Sequence, residues 1–325
     1  MKKIKVGING LGRIGRAFLK AAVKHPDIEV VAVNDLGNQA NMEYLLKYDS
    51  VFGRSEATLT GIKYLSEKEP SNLPWAELKV DVVVESTGFF ASAELSQAHI
   101  DAGAKRVVIS APIKDGTTIL MGLNEEKLAD AKITSNASCT TNAASPVIAI
   151  LDEVVGIEKA VLNTVHAYTA TQALVDGPAG KKGFREGRAA AQNIIPSSTG
   201  AAIAVTKAYP SLEGKFDGIS LRVPVPCGSI ADITFIAKRD TSVEEINTVL
   251  TQASKEKRWQ GIFAVAEAEL VSSDILGRPE GAIAELSMTR VVGGNLVKVL
   301  AWYDNESGYA ATLVKHVIEA GKQIE

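Results

Sequence analysis

The sequence has few cysteines and lacks a long apolar run. Cys139 and Cys227 are its only cysteines, and neither lies in a CxxC motif or beside a pair of histidines. This excludes a disulfide framework and a structural zinc site, and no metal is expected. The longest uncharged stretch, residues 133–151, contains Ser, Thr, Asn and Pro. A membrane-spanning helix needs about 20 mostly apolar residues, so no membrane contact is predicted.

The charge is nearly balanced, with 35 basic and 38 acidic residues and a formal net charge of -3. The protein therefore has no overall positive field to attract nucleic acid, and nucleic acid is not expected as a partner. Residues 1–7 lack the apolar segment of a secretion signal, which favours a cytoplasmic location. Apolar residues make up 46% of the 325 residues, and this length and composition predict a globular protein of two domains.

The first 140 residues alternate short β-branched runs with helical patterns. The runs are residues 4–9, 29–34, 80–85 and 106–110. This alternation is typical of βαβ units and predicts an α/β fold, a doubly wound parallel sheet of the Rossmann type. In the first helix, Arg13, Arg16, Lys20 and Lys24 are expected on the solvated face.

The pattern changes after about residue 157. Longer runs with fewer helices predict a second, α+β domain with a mainly antiparallel sheet, over strands 159–167, 218–225, 230–237, 284–291 and 296–303. Residues 226–229 and 293–295 are expected to form tight hairpin turns between strands. Periodicity leaves open which domain the last helix, residues 307–323, packs against.

A glycine-rich motif follows the first predicted strand and opens the first predicted helix. Residues 10–15 match GxGxxG through Gly10, Gly12 and Gly15. In this context the glycines let a pyrophosphate approach the backbone at a helix N-terminus. Asp35 follows the second strand, where a carboxylate can bind ribose hydroxyls and repel a 2′-phosphate, so NAD is favoured over NADP. The alternative to a dinucleotide site is that the glycines only form a turn and that Asp35 only caps a loop.

Cys139 precedes a helical run at residues 143–155, and His166 ends a predicted strand. A helix N-terminus stabilises a thiolate, and a nearby imidazole can act as its base. The other histidines, His25, His99 and His316, are expected on solvated faces. Cysteine, histidine and a nicotinamide cofactor together suggest aldehyde oxidation through a thiohemiacetal. An inert buried cysteine and a structural histidine remain the alternative.

Two features indicate anion binding. Strand alternation places Arg222 on the face opposite Ile219 and Leu221, where its guanidinium could hold a phosphate. Residues 197–201 place hydroxyl groups and Gly200 before an alanine-rich helix, a second candidate phosphate site. A surface arginine is the alternative for Arg222. Together these features suit a phosphorylated substrate.

These motifs resemble, in order and over essentially the whole chain, the phosphorylating glyceraldehyde-3-phosphate dehydrogenase family. The matching segments are residues 9–16, 137–142, 166–169, 196–201 and 302–306. The resemblance implies an NAD-dependent enzyme that converts glyceraldehyde 3-phosphate and inorganic phosphate to 1,3-bisphosphoglycerate. It also implies a homotetramer with a dinucleotide-binding domain at residues 1–138, joined by the helix at 306–325, and a catalytic domain at 139–305.

The resemblance also implies roles for individual residues. Cys139 is the nucleophile and His166 its base. The implied cofactor contacts are Gly10, Gly12, Arg13, Ile14, Gly15, Asp35, Lys68 (often arginine in the family), Thr87, Ser110 and Asn305. The implied inorganic-phosphate site comprises Ser138, Thr140, Thr199 and Gly200, and the site for the substrate's own phosphate comprises Thr169 and Arg222.

Two departures and two rival functions accompany this interpretation. Residues 53–63 are shorter than is usual in the family, and the loop at 180–188 is slightly longer. One rival is an erythrose-4-phosphate dehydrogenase, which hydrolyses its thioester; the intact run at 196–200 argues for phosphorolysis instead. The other is a nucleotide-binding regulator without catalysis, which would have a thiol of ordinary reactivity.

Overall fold

The computed structural model describes residues 3–179 and 183–324. The chain divides into two compact units, Met1–Ser138 with Ala310–Glu325, and Cys139–Tyr309. Residues 180–182 of the longer loop noted in the sequence lie outside the described residues. Within the described residues, no helix is long and apolar enough to cross a membrane.

The first unit is built on a parallel sheet, as its β-branched runs predict. Its strands are β1 Ile4–Asn9, β2 Ile28–Asn34, β3 Tyr48–Asp49, β4 Gly53–Arg54, β5 Lys63–Leu65, β6 Val82–Glu85, β7 Arg106–Ile109, β8 Thr117–Thr118 and β9 Ile133–Ser135. Its helices are α1 Arg13–Ala22, α2 Gln39–Lys47 and α3 Ala93–Asp101. In the described residues, seven strands pair in parallel in the order β5-β2-β1-β6-β7-β9-β8, and β3 and β4 form a separate ribbon.

The strand order reverses beside β1. The chain moves outward through β2 to β5, then returns to the other side of β1 with β6. In open α/β sheets, ligands bind in the crevice outside the carboxyl ends of the strands at such a reversal. The sheet is anchored by Trp75, which is fully buried and lies so near Gly7 that a β-carbon there would be 2.9 Å from its ring.

Helix α1 departs from its predicted polar face at one position. Arg16 is only 9% exposed, and its Nη1 donates to the Leu11 carbonyl at 2.9 Å. The prediction that Arg16 faces water is therefore wrong. The guanidinium satisfies a backbone carbonyl of the glycine-rich loop, which offsets the cost of its burial.

The second unit is an α+β layer structure. Its elements are α4 Cys139–Val154, β10 Ile157–Ala167, β11 Ile195–Ser198, α5 Ala201–Ala208, β12 Phe216–Val223, β13 Ser229–Ala237, α6 Val243–Ala253, β14 Phe263–Val265, β15 Ala282–Val292 and β16 Leu296–Tyr303. The last helix, α7 Ser307–Lys322, begins here and continues into the first unit. In the described residues, seven strands pair in the order β11-β12-β10-β13-β16-β15-β14.

This second sheet is mixed. The pairs β10–β12 and β14–β15 are parallel, and the other four pairs are antiparallel. The turn at residues 293–295 joins β15 to its neighbour β16, as predicted. The prediction of a hairpin at residues 226–229 is wrong, because β10 lies between β12 and β13. Glycine and proline mark a chain reversal there, but the partner of each strand is a distant segment.

Candidate active site

A cavity of about 560 Å³ opens at the strand reversal of the first unit. Residues that follow β1, β2 and β6 form much of its wall, as expected for the carboxyl edge of a parallel sheet. Five residues predicted to bind the cofactor line it: Gly10, Gly12, Asp35, Lys68 and Thr87. The structure therefore brings half of the predicted cofactor residues into one crevice.

The glycine-rich turn has the shape that a dinucleotide pyrophosphate requires. Gly10 has φ of +94°, and a β-carbon there would lie 2.7 Å from the Thr87 nitrogen. A β-carbon on Gly15 would lie 2.0 Å from the Gly10 carbonyl oxygen. A β-carbon on Gly12 meets no described atom within 4 Å, so the backbone there is open to a ligand. The turn fits a pyrophosphate at the N-terminus of α1.

Asp35 is held at the rim of this cavity by backbone amides. Its Oδ2 accepts from the Leu11 nitrogen at 2.7 Å, and its Oδ1 accepts from the Gly37 nitrogen at 2.8 Å. Each carboxylate oxygen can accept more than one hydrogen bond. Asp35 therefore caps the glycine-rich loop and can still accept hydrogen bonds from ribose hydroxyls. Loop capping and ribose binding, the two alternatives for Asp35, are compatible.

The remaining cofactor candidates of the first unit do not line this cavity. Within the part of the chain that the structure describes, Arg13, Ile14, Gly15 and Ser110 are not among the residues that line the cavity. Arg13 forms an ion pair with Asp49 at 2.9 Å and lies over the Phe52 ring. Ser110 directly follows β7 at the carboxyl edge of the sheet, and its nitrogen donates to the Glu85 carbonyl at 2.9 Å.

In the second unit, Cys139 and His166 lie side by side. Helix α4 begins at Cys139, and His166 is the penultimate residue of β10. The Cys139 Sγ and the His166 Nε2 are 3.4 Å apart, which is a hydrogen-bond distance for sulfur. Cys139 as a residue is partly exposed, whereas His166 is only 4% exposed. The pair has the geometry of a nucleophile and its general base.

The other ring nitrogen of His166 has two neighbours with opposite demands. The Ala167 carbonyl oxygen lies 2.6 Å from Nδ1, and the Arg222 Nη1 lies 2.7 Å from it. A carbonyl oxygen only accepts and a guanidinium only donates, so each neighbour favours a different tautomer. With the proton on Nδ1, Nε2 can accept the thiol proton; with the proton on Nε2, it can donate to a thiolate.

The electrostatics of this pair differ from the sequence expectation. Burial raises the pKa of the Cys139 thiol, although Arg222 and hydrogen bonds with Thr140 oppose the shift. Burial and the Arg222 charge lower the pKa of His166 from 6.5 to about 3. Burial thus disfavours the charged form of each group. Desolvation therefore opposes the stabilisation of a thiolate that the sequence predicts from the helix N-terminus.

Arg222 lies beside His166 through sheet pairing, since β12 runs parallel to β10 with Arg222 opposite His166. Its strand face is turned inward: Ser220 is 1% exposed, whereas Ile219 on the other face is 53% exposed. Among the described residues, the Arg222 Nε and the Ser220 Oγ are buried without a hydrogen-bond partner. Arg222 is therefore not an ordinary surface arginine, and its face offers unused hydrogen-bonding groups to an anion.

The other predicted site residues of the second unit follow strand and helix ends. Thr169 comes two residues after β10, and its nitrogen donates to the Gln172 Oε1 at 2.8 Å. Thr199 and Gly200 separate β11 from α5, and the Thr199 Oγ1 accepts from the Ala201 nitrogen at 3.2 Å. The Asn305 Oδ1 accepts from the Gly228 nitrogen and the Ser229 hydroxyl, at 3.1 and 3.0 Å.

The segment just before the nucleophile is constrained. Ser138, a predicted phosphate contact, is partly exposed, and Ala137 before it has φ of 53°, in the left-handed region that alanine rarely adopts. The Ser135 hydroxyl accepts from the Ala137 nitrogen at 2.9 Å. This turn directs the chain from β9 into α4.

Sequence reasoning assigned no role to Tyr303, the last residue of β16. Its hydroxyl is 2.8 Å from the Thr140 Oγ1 and 2.6 Å from the Thr164 Oγ1, and its ring meets the His166 ring edge-on at 5.8 Å. Burial and the neighbouring Cys139 raise the pKa of the Tyr303 hydroxyl. The residue links Thr140 of α4 to β10, a contact between segments 163 residues apart. Tyr303 lies in the matching segment 302–306, which assigns it no role.

Two histidines predicted to face water are fully buried. His99 accepts from the Trp75 Nε1 at 3.0 Å through Nδ1, and its Nε2 lies 3.0 Å from the Glu85 Oε2. His316 is 3.1 Å from the Asn136 Oδ1 and 2.9 Å from the Thr134 Oγ1. The predictions for both were wrong, because their helices pack with these faces inward. Periodicity alone does not reveal a polar partner inside the core.

Glu85 also connects the cavity to the interior. Its Oε2 accepts from the Asn9 Nδ2 at 2.6 Å, and its Oε1 accepts from the Thr87 nitrogen at 2.8 Å. Asn9 and Thr87 both line the cavity.

In the described residues, no group of three or more His, Cys, Asp or Glu side chains is arranged to hold a metal ion.

The fold and the site define a dinucleotide-binding α/β protein with a separate unit that carries a cysteine–histidine pair. Comparison with known families identifies it further. Residues 4–93 match the profile described as the glyceraldehyde 3-phosphate dehydrogenase NAD-binding domain, and residues 138–305 match the profile of its C-terminal domain. The chain belongs to the glyceraldehyde-3-phosphate dehydrogenase family, a family of NAD-dependent oxidoreductases.

Full-length relatives agree with this assignment. The chain is 46% identical to glyceraldehyde-3-phosphate dehydrogenase 2 of Streptomyces avermitilis and to the enzyme of Streptomyces coelicolor. It is 45% identical to glyceraldehyde-3-phosphate dehydrogenase of Mycobacterium tuberculosis. Each alignment covers 99% of both chains.

Proposed function

We propose that the protein oxidises D-glyceraldehyde 3-phosphate with NAD and transfers the acyl group to inorganic phosphate, giving 1,3-bisphosphoglycerate. The observation that carries the proposal is the 3.4 Å contact between the Cys139 Sγ and the His166 Nε2, with Arg222 next to the imidazole. A thiol can attack the aldehyde carbon, and the imidazole can take its proton. Family membership supplies the reaction to which this geometry is suited.

The cofactor supplies a hydride acceptor when it is bound. In this proposal, the glycine-rich turn with Gly10 and Gly12 holds its pyrophosphate, Asp35 holds the adenine ribose, and Lys68 and Thr87 line the same cavity. Arg13, Ile14, Gly15, Ser110 and Asn305 are further proposed contacts, carried over from the family pattern. The fixed Asp35 carboxylate supports NAD over NADP, since it would repel a 2′-phosphate.

The protons pass through one imidazole. In the tautomer whose Nδ1–H donates to the Ala167 carbonyl oxygen, the His166 Nε2 is free of a proton. It accepts the thiol proton as the sulfur–carbon bond forms. Nε2 then donates this proton to the oxygen of the aldehyde, which becomes the hydroxyl of the thiohemiacetal. As the hydride leaves carbon, Nε2 removes the hydroxyl proton and a thioester remains. A phosphate oxygen then attacks the thioester carbon, and the Cys139 thiolate leaves.

Two groups of residues are proposed to hold the phosphates. Thr169 and Arg222 bind the phosphate of the aldehyde; the unpartnered Arg222 Nε supports this role. Ser138, Thr140, Thr199 and Gly200 bind inorganic phosphate. The turn before α5 supports this second site, because backbone amides at a helix start attract anions and the N-cap residue Gly200 makes no side-chain capping bond.

Steady-state assays test the function directly. Turnover should be fastest with glyceraldehyde 3-phosphate, NAD and inorganic phosphate together. Phosphate-independent turnover on erythrose 4-phosphate would instead identify the rival dehydrogenase. Cys139→Ser should lower kcat by about 10⁴-fold or more while NAD binding is retained, because a hydroxyl is a far weaker nucleophile. A Cys139→Ser variant that stays active would contradict the covalent mechanism.

The cofactor assignment has its own test. Asp35→Ala should lower the ratio of kcat/KM with NAD to kcat/KM with NADP by about tenfold or more, because the variant no longer repels a 2′-phosphate. Asp217→Ala, an exposed aspartate of the other unit, is the control. An unchanged ratio in Asp35→Ala would contradict the ribose assignment.

We also propose that the protein is a cytoplasmic homotetramer. The outward face of the mixed sheet carries exposed apolar side chains: Val161 is 60% exposed, Ile219 53% and Leu296 41%. An apolar sheet face of this kind suits contact with a second copy. Both cysteines are free thiols, which suits a reducing compartment. Analytical ultracentrifugation should give a tetramer, and Val161→Glu should shift it to smaller species.

A further inference from the structure

Glu186 is a buried carboxylate with no part in the mechanism above. It lies in a single 3-10 turn, Phe184–Gly187, between β10 and β11, and is 5% exposed. Glutamate is almost never buried to this extent unless its oxygens are hydrogen-bonded. The partners of Glu186 therefore indicate what the side chain is for.

One oxygen of Glu186 is bonded to the strand that leads to the proposed inorganic-phosphate site. The Ser197 hydroxyl donates to the Glu186 Oε1 at 2.6 Å. Ser197 lies in β11, directly before the turn that contains Thr199 and Gly200. A bond to Ser197 therefore restrains the segment that enters this turn.

The other oxygen is bonded to the proposed site for the aldehyde's phosphate. The Gln172 Nε2 donates to the Glu186 Oε2. The Gln172 Oε1 accepts from the Thr169 nitrogen at 2.8 Å and from the Thr169 hydroxyl at 3.2 Å. Since the Thr169 N–H can only donate, the amide oxygen of Gln172 must face Thr169 and its NH₂ group must face Glu186.

Backbone bonds hold Glu186 at this position. The Ala173 nitrogen donates to the Glu186 carbonyl at 3.0 Å, and the Gly177 nitrogen donates to the Gly187 carbonyl at 2.9 Å. The turn is thus tied to the residues that follow Thr169. Its side chain extends from a restrained backbone rather than from a free loop.

We propose that Glu186 is a positioning residue that couples the two phosphate sites, one at Thr169 and one at Thr199–Gly200. The inference rests on the proposed function. One carboxylate receives a hydrogen bond from each side, so a displacement of either segment strains the bond to the other. The residue acts through Ser197 and Gln172 and does not touch a phosphate itself.

The geometry predicts which replacement can substitute for Glu186. A glutamine has the same length, its amide oxygen can accept from Gln172, and its NH₂ group can donate to the Ser197 hydroxyl, which can also accept. An alanine removes both bonds and leaves a space. Glu186→Gln should therefore retain the coupling, and Glu186→Ala should lose it.

The experiment measures KM for glyceraldehyde 3-phosphate and for inorganic phosphate in the full-length enzyme with NAD. Glu186→Ala should raise both KM values by about tenfold, the effect of losing buried hydrogen bonds. Glu186→Gln should stay within about twofold of the original for both. The exposed Glu213→Gln is the matched control. The rate of Cys139 alkylation by iodoacetamide should stay within about twofold in all variants, which separates the effect from general disruption.

A double-mutant cycle isolates the bridge. Ser197→Ala should raise the KM for inorganic phosphate more than the KM for the aldehyde. The Glu186→Ala/Ser197→Ala variant should then be no worse than Glu186→Ala alone, because both changes remove the same bond. Additive effects would overturn the proposal. Should Glu186→Ala fail to fold, Ser197→Ala and Glu186→Gln still decide it through the same two KM values.

Several outcomes overturn the coupling. They are a Glu186→Ala enzyme with both KM values unchanged, a change in only one of them, and a Glu186→Gln enzyme that behaves like Glu186→Ala. These outcomes leave the proposed function intact. If the unsubstituted protein shows no phosphate-dependent oxidation of glyceraldehyde 3-phosphate, the proposed function itself is contradicted.

Discussion

His166 and His316 are two buried histidines with the same depressed pKa and different surroundings. Burial lowers the pKa of each to about 3. His166 lies between a thiol and a guanidinium, with the Cys139 Sγ at 3.4 Å and the Arg222 Nη1 at 2.7 Å. Among the described residues, the hydrogen-bond partners of His316 are the Asn136 amide oxygen and the Thr134 hydroxyl.

The comparison shows that a perturbed pKa reports burial before it reports function. Both rings are neutral at physiological pH, so both can accept a proton. His166 has the Cys139 thiol next to it, and Cys139 is a partly exposed residue, whereas the hydrogen-bond partners of His316, Asn136 and Thr134, are buried. The neighbour therefore distinguishes a catalytic candidate from a structural histidine.

The largest expected effect separates the two histidines by rate. His166→Asn should lower kcat by about 10²- to 10⁴-fold, because the thiol loses its proton acceptor. His316→Gln should leave kcat within about twofold, since its partners belong to the core of the first unit. Steady-state kinetics at saturating substrate measure both. Equal losses in the two variants would break the comparison.

A smaller effect tests the guanidinium beside His166. The Arg222 charge favours the thiolate and disfavours the imidazolium, and so lowers the pKa of both Cys139 and His166. Arg222→Leu should therefore raise both pKa values and raise the KM for glyceraldehyde 3-phosphate by about ten- to a hundredfold. The pH dependence of iodoacetamide alkylation reports the thiol. Arg239→Leu, which removes an exposed arginine, is the control. A thiol pKa that falls in Arg222→Leu would contradict the assignment.

The smallest effect concerns acid stability. His316 takes up a proton at about pH 3 in the folded chain and near its ordinary value of 6.5 when unfolded. The unfolded chain thus binds more protons between these values, and the free energy of unfolding falls as the pH falls through this window. The melting temperature falls between about pH 7 and about pH 4.5. This fall should be smaller in His316→Gln than in the unsubstituted protein, by a few degrees.

The control for this prediction is His25→Gln, because the His25 side chain is 37% exposed. Its loss of melting temperature over the same pH range should match that of the original chain. If His316→Gln also matches the original, the buried imidazole does not contribute to acid sensitivity.

Much of the fold could be predicted from local patterns. Strand β16 and the β15–β16 hairpin lie where alternation and glycines placed them, and the parallel sheet of the first unit follows its β-branched runs. The predicted hairpin at residues 226–229 is wrong because strand order is a property of the whole sheet. The predictions for Arg16, His99 and His316 are wrong because a polar side chain can be buried when it has a partner. That partner is the nearby Leu11 carbonyl for Arg16, and side chains of distant segments for the two histidines.

The candidate site shows the same division. The sequence by itself determined the glycine-rich turn, a helix directly after Cys139 and the strand that ends after His166, because each depends on local propensity; the helix starts four residues earlier than the predicted run and includes Cys139. Tertiary structure alone decided that burial raises the pKa of the Cys139 thiol, that Arg222 lies against His166, and that Glu186 joins Ser197 to Gln172. Those facts depend on desolvation and on contacts between segments far apart in the chain, which no local pattern encodes.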